Sequence, residues 1–300
     1  MRVGMVCGRV VAAICLLVAG AVVQAQATAR PVGTIILAHG GDARWNERVL
    51  DVAREVRTGG PVEVSFLMGP EAARRRFQDA VTRLESQGVS SIVVVPMLVS
   101  SHSGHYAQIR WLAGEDVALD SVMHHHLHMA GIERARTTLP IHVTAAMDDA
   151  PEVARVLADR GIALAPRPNE RALFIVGHGP NSAEDHAAWM KNLRVLADSV
   201  RRWTGFHDVR VEVVRDDAPP QVRAEAVLRV RELIAMQHQL TRREVVVVPI
   251  LVSRGTVSRD RIPADLAGLP VIYAGEPLLP HASMSRWVEA RVREAGAGAR

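Results

Sequence analysis

Cysteine is scarce in this chain of 300 residues, which contains only Cys7 and Cys15. Both cysteines lie in an N-terminal segment that we expect to be removed, so the mature chain would contain no thiol. Disulfide bonds, thiolate metal ligands and a cysteine nucleophile are then excluded together.

Aromatic residues are also few, at 4% of the chain, and they are not interleaved with a basic stripe. Proteins that bind single-stranded nucleic acid use such stripes to stack bases, so we expect no nucleic-acid partner. In contrast, 48% of the residues are hydrophobic, which is enough for a large core and for two domains of ordinary size.

Long hydrophobic runs are missing apart from one near the N-terminus, from Val10 to Val23, which follows two arginines. This run has about 14 residues, whereas a helix that spans a bilayer needs roughly 20. Small residues at Ala25 or Ala27 offer cleavage sites. We therefore predict a signal peptide over residues 1–27, with an uncleaved anchor as the alternative. The mature protein would be periplasmic or secreted, without stable membrane insertion.

Short β-branched stretches alternate with amphipathic stretches along the rest of the first half. Segments 46–56, 71–88 and 149–161 have helical spacing, and glycines are expected to end these helices. Four apolar stretches bounded by glycine or proline predict strands, namely 33–41, 62–68, 90–100 and 140–147. This alternation predicts a parallel sheet with helices on both faces.

The second half repeats the order of the first. "LAHGG" around His39 matches "VGHGP" around His178, and "VVVPMLVS" matches "VVVPILVS". Strand-like stretches recur at 171–181, 208–214, 243–253 and 269–279. We therefore predict an α/β protein made of two tandem Rossmann-like domains, each with a mainly parallel four-stranded sheet flanked by helices. The domains would span residues 28–165 and 166–300.

Histidines follow two of the predicted strands in the first half. His39 ends the first strand, and His102 and His105 follow the third. Ligands of open parallel sheets bind beyond the carboxyl ends of the strands, so these side chains should share one crevice. A lone histidine there is often only a capping or solvated residue, but three together favour a site for Co²⁺, Ni²⁺, Fe²⁺, Zn²⁺ or Cu²⁺. In the second half, Gly255 and Ser258 replace His102 and His105.

Two further polar clusters are candidates for function. The segment 121–131 is rich in histidine, and we interpret it as a metal-binding loop, with a polar loop tip as the alternative. The paired acids at 148–149 and 216–217 are expected to be turn or helix-cap residues. The histidines of the tract are His124, His125, His126 and His128.

The motifs "AHGG" and "VVVPMLVSSHSGH", with their tandem copies, resemble the class II tetrapyrrole chelatases over residues 33–290. This is the family of sirohydrochlorin cobaltochelatase and ferrochelatase. The resemblance implies two chelatase-type domains that insert Co²⁺, Fe²⁺ or Ni²⁺ into a tetrapyrrole in the cleft between them. It assigns the metal to His39 and His105 of the N-terminal domain, with His102 as the alternative ligand, and it brings His178 to the same cleft. A homo-oligomer is compatible with the resemblance.

One position departs from the family. Relatives often have a Glu at the end of the second strand, where this chain has Met68, and Glu71 is the candidate to accept pyrrole protons instead. A chain that lacks this step would be a non-catalytic periplasmic protein that binds metal or tetrapyrrole, which is the alternative hypothesis.

Overall fold

The computed structural model describes residues 30–119, 121–129 and 131–298. The expected signal peptide, residues 1–27, lies outside the described residues. Among the residues that the structure describes, no helix has both the length and the apolar composition needed to cross a bilayer.

The first half alternates strands and helices as predicted. A side-chain cap begins the first helix, where Asp42 Oδ1 accepts a hydrogen bond of 2.8 Å from the backbone N–H of Trp45. The elements are β1 (Val32–Ala38), α1 (Ala43–Glu55), β2 (Val62–Phe66), α2 (Phe77–Ser86), β3 (Ser91–Met97), α3 (Gly104–Leu112), α4 (Ser121–Met129), β4 (Ile141–Val143) and α5 (Pro151–Leu164).

The second half repeats this alternation after a short 3₁₀ turn, Pro168–Glu170. A five-residue π-helix, Val257–Arg261, stands where the first half has the start of α3. The elements are β5 (Ala172–Gly177), α6 (Ala183–Thr204), β6 (Asp208–Val213), α7 (Pro220–Thr241), β7 (Val245–Ile250), α8 (Ile262–Asp265), β8 (Val271–Tyr273) and α9 (Ala282–Gly298).

The two sheets have the same topology. Their strand orders are β2-β1-β3-β4 and β6-β5-β7-β8, and every pair of neighbouring strands is parallel. Each central strand is buried along its length, because helices cover both faces of its sheet. The predicted fold class, two parallel four-stranded sheets flanked by helices, is confirmed.

Three local predictions are wrong. The helix predicted over 71–88 begins only at Phe77, because residues 71–76 form a turn after β2. Gly161 does not end α5, which continues to Leu164. The histidine-rich tract is the helix α4 rather than a loop.

The last helix of each half packs against the sheet of the other half. Helix α5 contacts α6 and β7, while α9 contacts α1 and β3. Gly161 permits this approach, since a Cβ there would stand 2.3 Å from Cδ1 of Leu173 in β5. On the other side, Ser285 Oγ donates to Glu55 Oε2 at 2.7 Å. The boundary predicted at residue 165 is therefore a boundary along the sequence, and the packing of α5 and α9 crosses it.

Candidate functional site

A cleft of about 560 Å³ lies between the two halves, at the carboxyl ends of their strands. This volume is typical of small-molecule sites. Two polar contacts join the halves beside it: Trp189 Nε1 donates to the carbonyl of His102 at 2.6 Å, and Arg259 lies 3.8 Å from Asp42. Its walls are largely apolar and include Trp45, Leu98, Val99, Met123, Trp189, Leu251, Val252 and Val257.

His39 lies at the end of β1 and lines the cleft. The next residue, Gly40, has a φ of +94°, and a Cβ there would stand 2.2 Å from the carbonyl oxygen of Met68. This position therefore requires glycine. The turn places Nδ1 of His39 2.8 Å from the carbonyl oxygen of Gly40. A carbonyl can only accept a hydrogen bond, so Nδ1 carries the proton and the lone pair of the neutral ring is on Nε2.

His105 lines the same cleft from the first turn of α3, which Ser103 caps. Its ring meets that of His39 edge to face, with the centroids 4.6 Å apart and the planes at 84°. Nδ1 of His105 lies 2.8 Å from Oε1 of Gln108. The structure thus brings the two expected metal ligands together.

The alternative ligand, His102, has a different environment. Its side chain is exposed and is not among the residues that line the cleft. Its backbone makes the contacts, because its N–H donates to Ser100 Oγ and its carbonyl accepts from Trp189. The geometry therefore favours His105 over His102 as the partner of His39.

His178 enters the cleft from the second half, at the end of β5. Nδ1 lies 2.8 Å from the carbonyl oxygen of Gly179, and Nε2 lies 3.1 Å from Oδ2 of Asp217. Both partners are acceptors, so both ring nitrogens donate and the ring is an imidazolium. Burial lowers the pKa of His178, but its hydrogen bonds to Asp217 and Gly179 outweigh this and raise it above the ordinary value. In this state His178 has no lone pair to give to a metal.

The turn after β6 presents a carboxylate where the turn after β2 presents Met68. The N–H of Met68 donates to the carbonyl of His39, and the N–H of Asp216 donates to the carbonyl of His178 at the equivalent rung. The Asp216 side chain is buried and pairs with Arg223 at 3.1 Å and with Arg261. Among the described residues, His178, Asp216 and Asp217 have ligand atoms close enough for a metal ion. These two arginines already neutralise Asp216, which disfavours a cation there.

The two halves therefore differ in which side chains they have at equivalent positions of the site. The first half has His39 and His105 but has Met68 in place of a carboxylate. The second half has His178 and Asp216, but Ser258 occupies the position that corresponds to His105. Among the described residues that line the cleft, the first half contributes two histidine rings in contact and the second half contributes one.

Glu71 does not reach the cleft. It lies in the turn after β2, where its carboxylate pairs with Arg74 at 3.0 Å and lies 3.8 Å from Arg75. Neither Glu71 nor Met68 is among the residues that line the cleft. The expectation that the turn returns this carboxylate to the site is not met, because these two arginines hold it in the turn.

Two members of the histidine tract, His124 and His128, face a separate groove, whereas the side chain of His126 lies outside the described residues. The ring of His124 packs edge to face on Trp111, at 5.3 Å between centroids. Helix α4 separates this groove from the cleft, since the residue before His124, Met123, lines the cleft. The groove is lined by Trp111, His124, Leu127, His128, Ile132, Glu133, Arg134, Ala135 and Arg136.

Two residues of the site were missed by sequence reasoning. Asp217 was expected to be only a turn residue, yet it lines the cleft and pairs with His178. Gln108 lies within α3 and has no sequence signature. An alignment of the two sequence repeats that matches Met68 with Asp216 would have indicated the acidic pair. No feature of the neighbouring sequence indicated Gln108.

Comparison with known families supports this picture. The CbiX family matches residues 33–163, the half that holds His39 and His105. The expected resemblance to the class II tetrapyrrole chelatases is confirmed over this first half. No curated protein sequence matches this chain.

Solved structures share the fold of this chain across both halves. SirB from Bacillus subtilis with Fe³⁺ has a TM-score of 0.61 and 14% identity, covering 90% of this chain and 97% of SirB. SirB from Bacillus subtilis subspecies spizizenii, a sirohydrochlorin chelatase in complex with cobalt, has a TM-score of 0.58 and 15% identity, covering 88% and 94%. A multi-domain protein from Deinococcus radiodurans with similarity to chelatases has a TM-score of 0.56 and 18% identity, covering 88% of this chain and 54% of that protein.

Proposed function

We propose that the cleft inserts a divalent metal, Co²⁺, Fe²⁺ or Ni²⁺, into a tetrapyrrole such as sirohydrochlorin. The observation that carries the proposal is the edge-to-face pair of His39 and His105, each with an acceptor placed at Nδ1. Two neutral imidazoles suit borderline transition metals and disfavour magnesium and calcium. The match of residues 33–163 to the CbiX family and the similar structures solved with Fe³⁺ and with cobalt support the same chemistry.

The residues that line the cleft suit an apolar macrocycle with polar substituents. Trp45 and Trp189 line it together with aliphatic residues from both halves. The imidazolium of His178, which lines the cleft, would attract a carboxylate substituent of the tetrapyrrole. The macrocycle would then lie between the metal-binding half and the cationic side chain of the other half.

Proton balance can be met without a carboxylate at Met68. Insertion forms metal–nitrogen bonds to the macrocycle and releases two pyrrole N–H protons. As the metal leaves His39 and His105, the two Nε2 lone pairs become available to take those two protons. Asp217 is partly exposed and lines the cleft, so it can pass protons to solvent.

Turnover of the mature chain tests this proposal. Residues 28–300 are mixed with excess sirohydrochlorin and Co²⁺, and the absorption spectrum is followed. We expect many equivalents of the cobalt complex per chain, and none from His39→Ala with His105→Ala, whereas the matched control His102→Ala retains activity. One equivalent bound without turnover would instead identify the alternative, a binding protein, which Met68 favours.

His124 and His128 of α4 form a proposed second and weaker metal site. His124 and His128 are four residues apart on one helix, a spacing that can hold one metal ion, and both line the groove with Glu133. Arg134 and Arg136 line the same groove and oppose a cation. Calorimetric titration with Co²⁺ should therefore show a weaker event that disappears in His124→Asn with His128→Asn, and a tighter event that persists.

Export of the mature protein remains a proposal from the sequence. The N-terminal run of residues 10–23 and the cleavage sites at Ala25 and Ala27 support it. N-terminal sequencing of protein recovered from a periplasmic extract tests it, and a chain that begins at Met1 would contradict cleavage.

A further inference from the structure

Gln108 joins His105, in the first turn of α3, to helix α4 inside the protein. It lies three residues after His105 in α3, and its side chain is completely buried. Its amide makes two hydrogen bonds of 2.8 Å, one with Nδ1 of His105 and one with the carbonyl oxygen of Met123. A buried amide with both ends engaged has one fixed orientation.

The chemistry of these partners determines which nitrogen of His105 is protonated. The Met123 carbonyl can only accept, so the NH₂ group of Gln108 faces it and donates. The amide oxygen must then face His105, where it can only accept. Nδ1 of His105 therefore carries the proton, and Nε2 carries the lone pair of the neutral ring.

A different kind of acceptor fixes the same tautomer in His39. Its Nδ1 donates to a backbone carbonyl, that of Gly40, which the turn itself fixes. At the start of α3, His105 uses a side chain instead, and that side chain is oriented by a different helix. Helices α3 and α4 are in close contact here, since a Cβ on Gly104 would stand 2.9 Å from Sδ of Met123.

We propose that Gln108 is a positioning residue that holds His105 in the Nδ1–H tautomer and fixes the orientation of its ring. Its effect on metal binding rests on the proposed function, in which Nε2 of His105 binds the metal. Partners that accept from the second nitrogen of a ligating histidine typically contribute about 10- to 100-fold to metal affinity. Gln108 would contribute in this range without touching the metal.

The first measurement is the tautomer of His105 in the metal-free protein, from the ¹⁵N shifts of its ring, assigned by their loss in His105→Gln. We expect a pyrrole-type Nδ1 and a pyridine-type Nε2 in the parent and in Gln108→Glu, which keeps an acceptor. In Gln108→Met we expect the Nε2–H tautomer to gain population and Co²⁺ affinity to fall by about 10- to 100-fold. A matched control is Gln237→Met, because Gln237 is equally buried and donates to the carbonyl of Leu173. This control should leave both measurements unchanged.

The outcomes separate this proposal from the proposed function. A parent spectrum with the proton on Nε2 overturns the role of Gln108, even if the variants fail to fold. An unchanged tautomer in Gln108→Met, or one lost equally in Gln108→Glu, also overturns it. If the tautomer changes as expected while Co²⁺ affinity does not, Gln108 does position the ring but His105 is not a metal ligand, and the proposed function fails instead.

Discussion

Nε2 of His178 lies 3.1 Å from Oδ2 of Asp217, in a cleft that also contains His39 and His105. Nδ1 of His178 donates to the carbonyl of Gly179, so with the contact to Asp217 both ring nitrogens act as hydrogen-bond donors. Both nitrogens of His178 thus face acceptors, so this ring carries a positive charge, whereas the proposed function requires a lone pair on His39. The two histidines share a sequence motif and a backbone turn.

The first prediction concerns this difference. His178→Gln should change Co²⁺ affinity by less than about threefold, which is under about 0.7 kcal/mol, while it weakens tetrapyrrole binding. Calorimetry with Co²⁺ and absorption titration with sirohydrochlorin measure the two effects separately. A loss of Co²⁺ affinity equal to that of His39→Ala would mean that both halves bind the metal.

Stability should also depend on pH through this pair. The hydrogen bond to His178 and the nearby charges lower the pKa of Asp217, so its contribution is present above about pH 3.9 and is lost as pH falls through the lowered pKa. The pKa of His178 is raised, so its contribution is complete below about pH 6.5 and is lost as pH rises through the raised pKa.

Urea unfolding of the parent and of His178→Gln tests this dependence. The difference in unfolding free energy should be larger near pH ~6 than near pH ~9, and it should stay under about 1 kcal/mol because both side chains are partly exposed. A difference that grows with pH would contradict an imidazolium in the folded state.

Proton competition tests the metal ligands. A ligating imidazole must be neutral, and an unperturbed ring titrates near pH ~6.5, so Co²⁺ affinity should fall between pH ~7.5 and ~5.5. If His39 and His105 both bind, the limiting slope approaches two protons per metal. His105→Ala should reduce the slope towards one, and His102→Ala should leave it unchanged. A flat profile would point to carboxylate ligands.

The turn at Gly40 should be intolerant of a side chain. Gly40→Ala meets the carbonyl of Met68, whereas Gly59 has a similar φ of +79° with nothing within 4 Å of its Cβ position, so Gly59→Ala is the matched control. The control should cost about 1–2 kcal/mol from positive φ alone. Gly40→Ala should cost a further ~2 kcal/mol or more in urea unfolding and should also weaken Co²⁺ binding. Equal costs would mean that the turn can relax away from Met68.

Because α9 of the second half packs against α1 and β3 of the first half, we predict that the first half does not fold alone. Met284, Trp287 and Val288 of α9 are fully buried in the core that includes β3, and each contributes about 2 kcal/mol through burial. Losing them removes a large part of a typical stability of about 5–15 kcal/mol. Residues 28–165 produced alone should therefore aggregate or bind a hydrophobic dye. A folded monomer would contradict the prediction that the first half needs α9.

Much of the fold could be predicted because its signals are local. Each strand is a short apolar run bounded by glycine or proline, and parallel topology brings the ends of β1 and β3 to one edge. This is why His39 and His105 could be placed together from the sequence. The start of α2 was predicted too early and the helix α4 was missed, because packing, not periodicity, decides them.

The sequence by itself determined the order of the strands, the duplication and the histidines at the strand ends, since these depend on hydrophobic pattern and chain direction. Only the tertiary structure decided what those histidines are chemically. The tautomer of His105 depends on Gln108 and on the carbonyl of Met123, and the charge of His178 depends on Asp217. A side-chain proton follows the nearest acceptor in space, and these acceptors belong to other turns and helices of the chain.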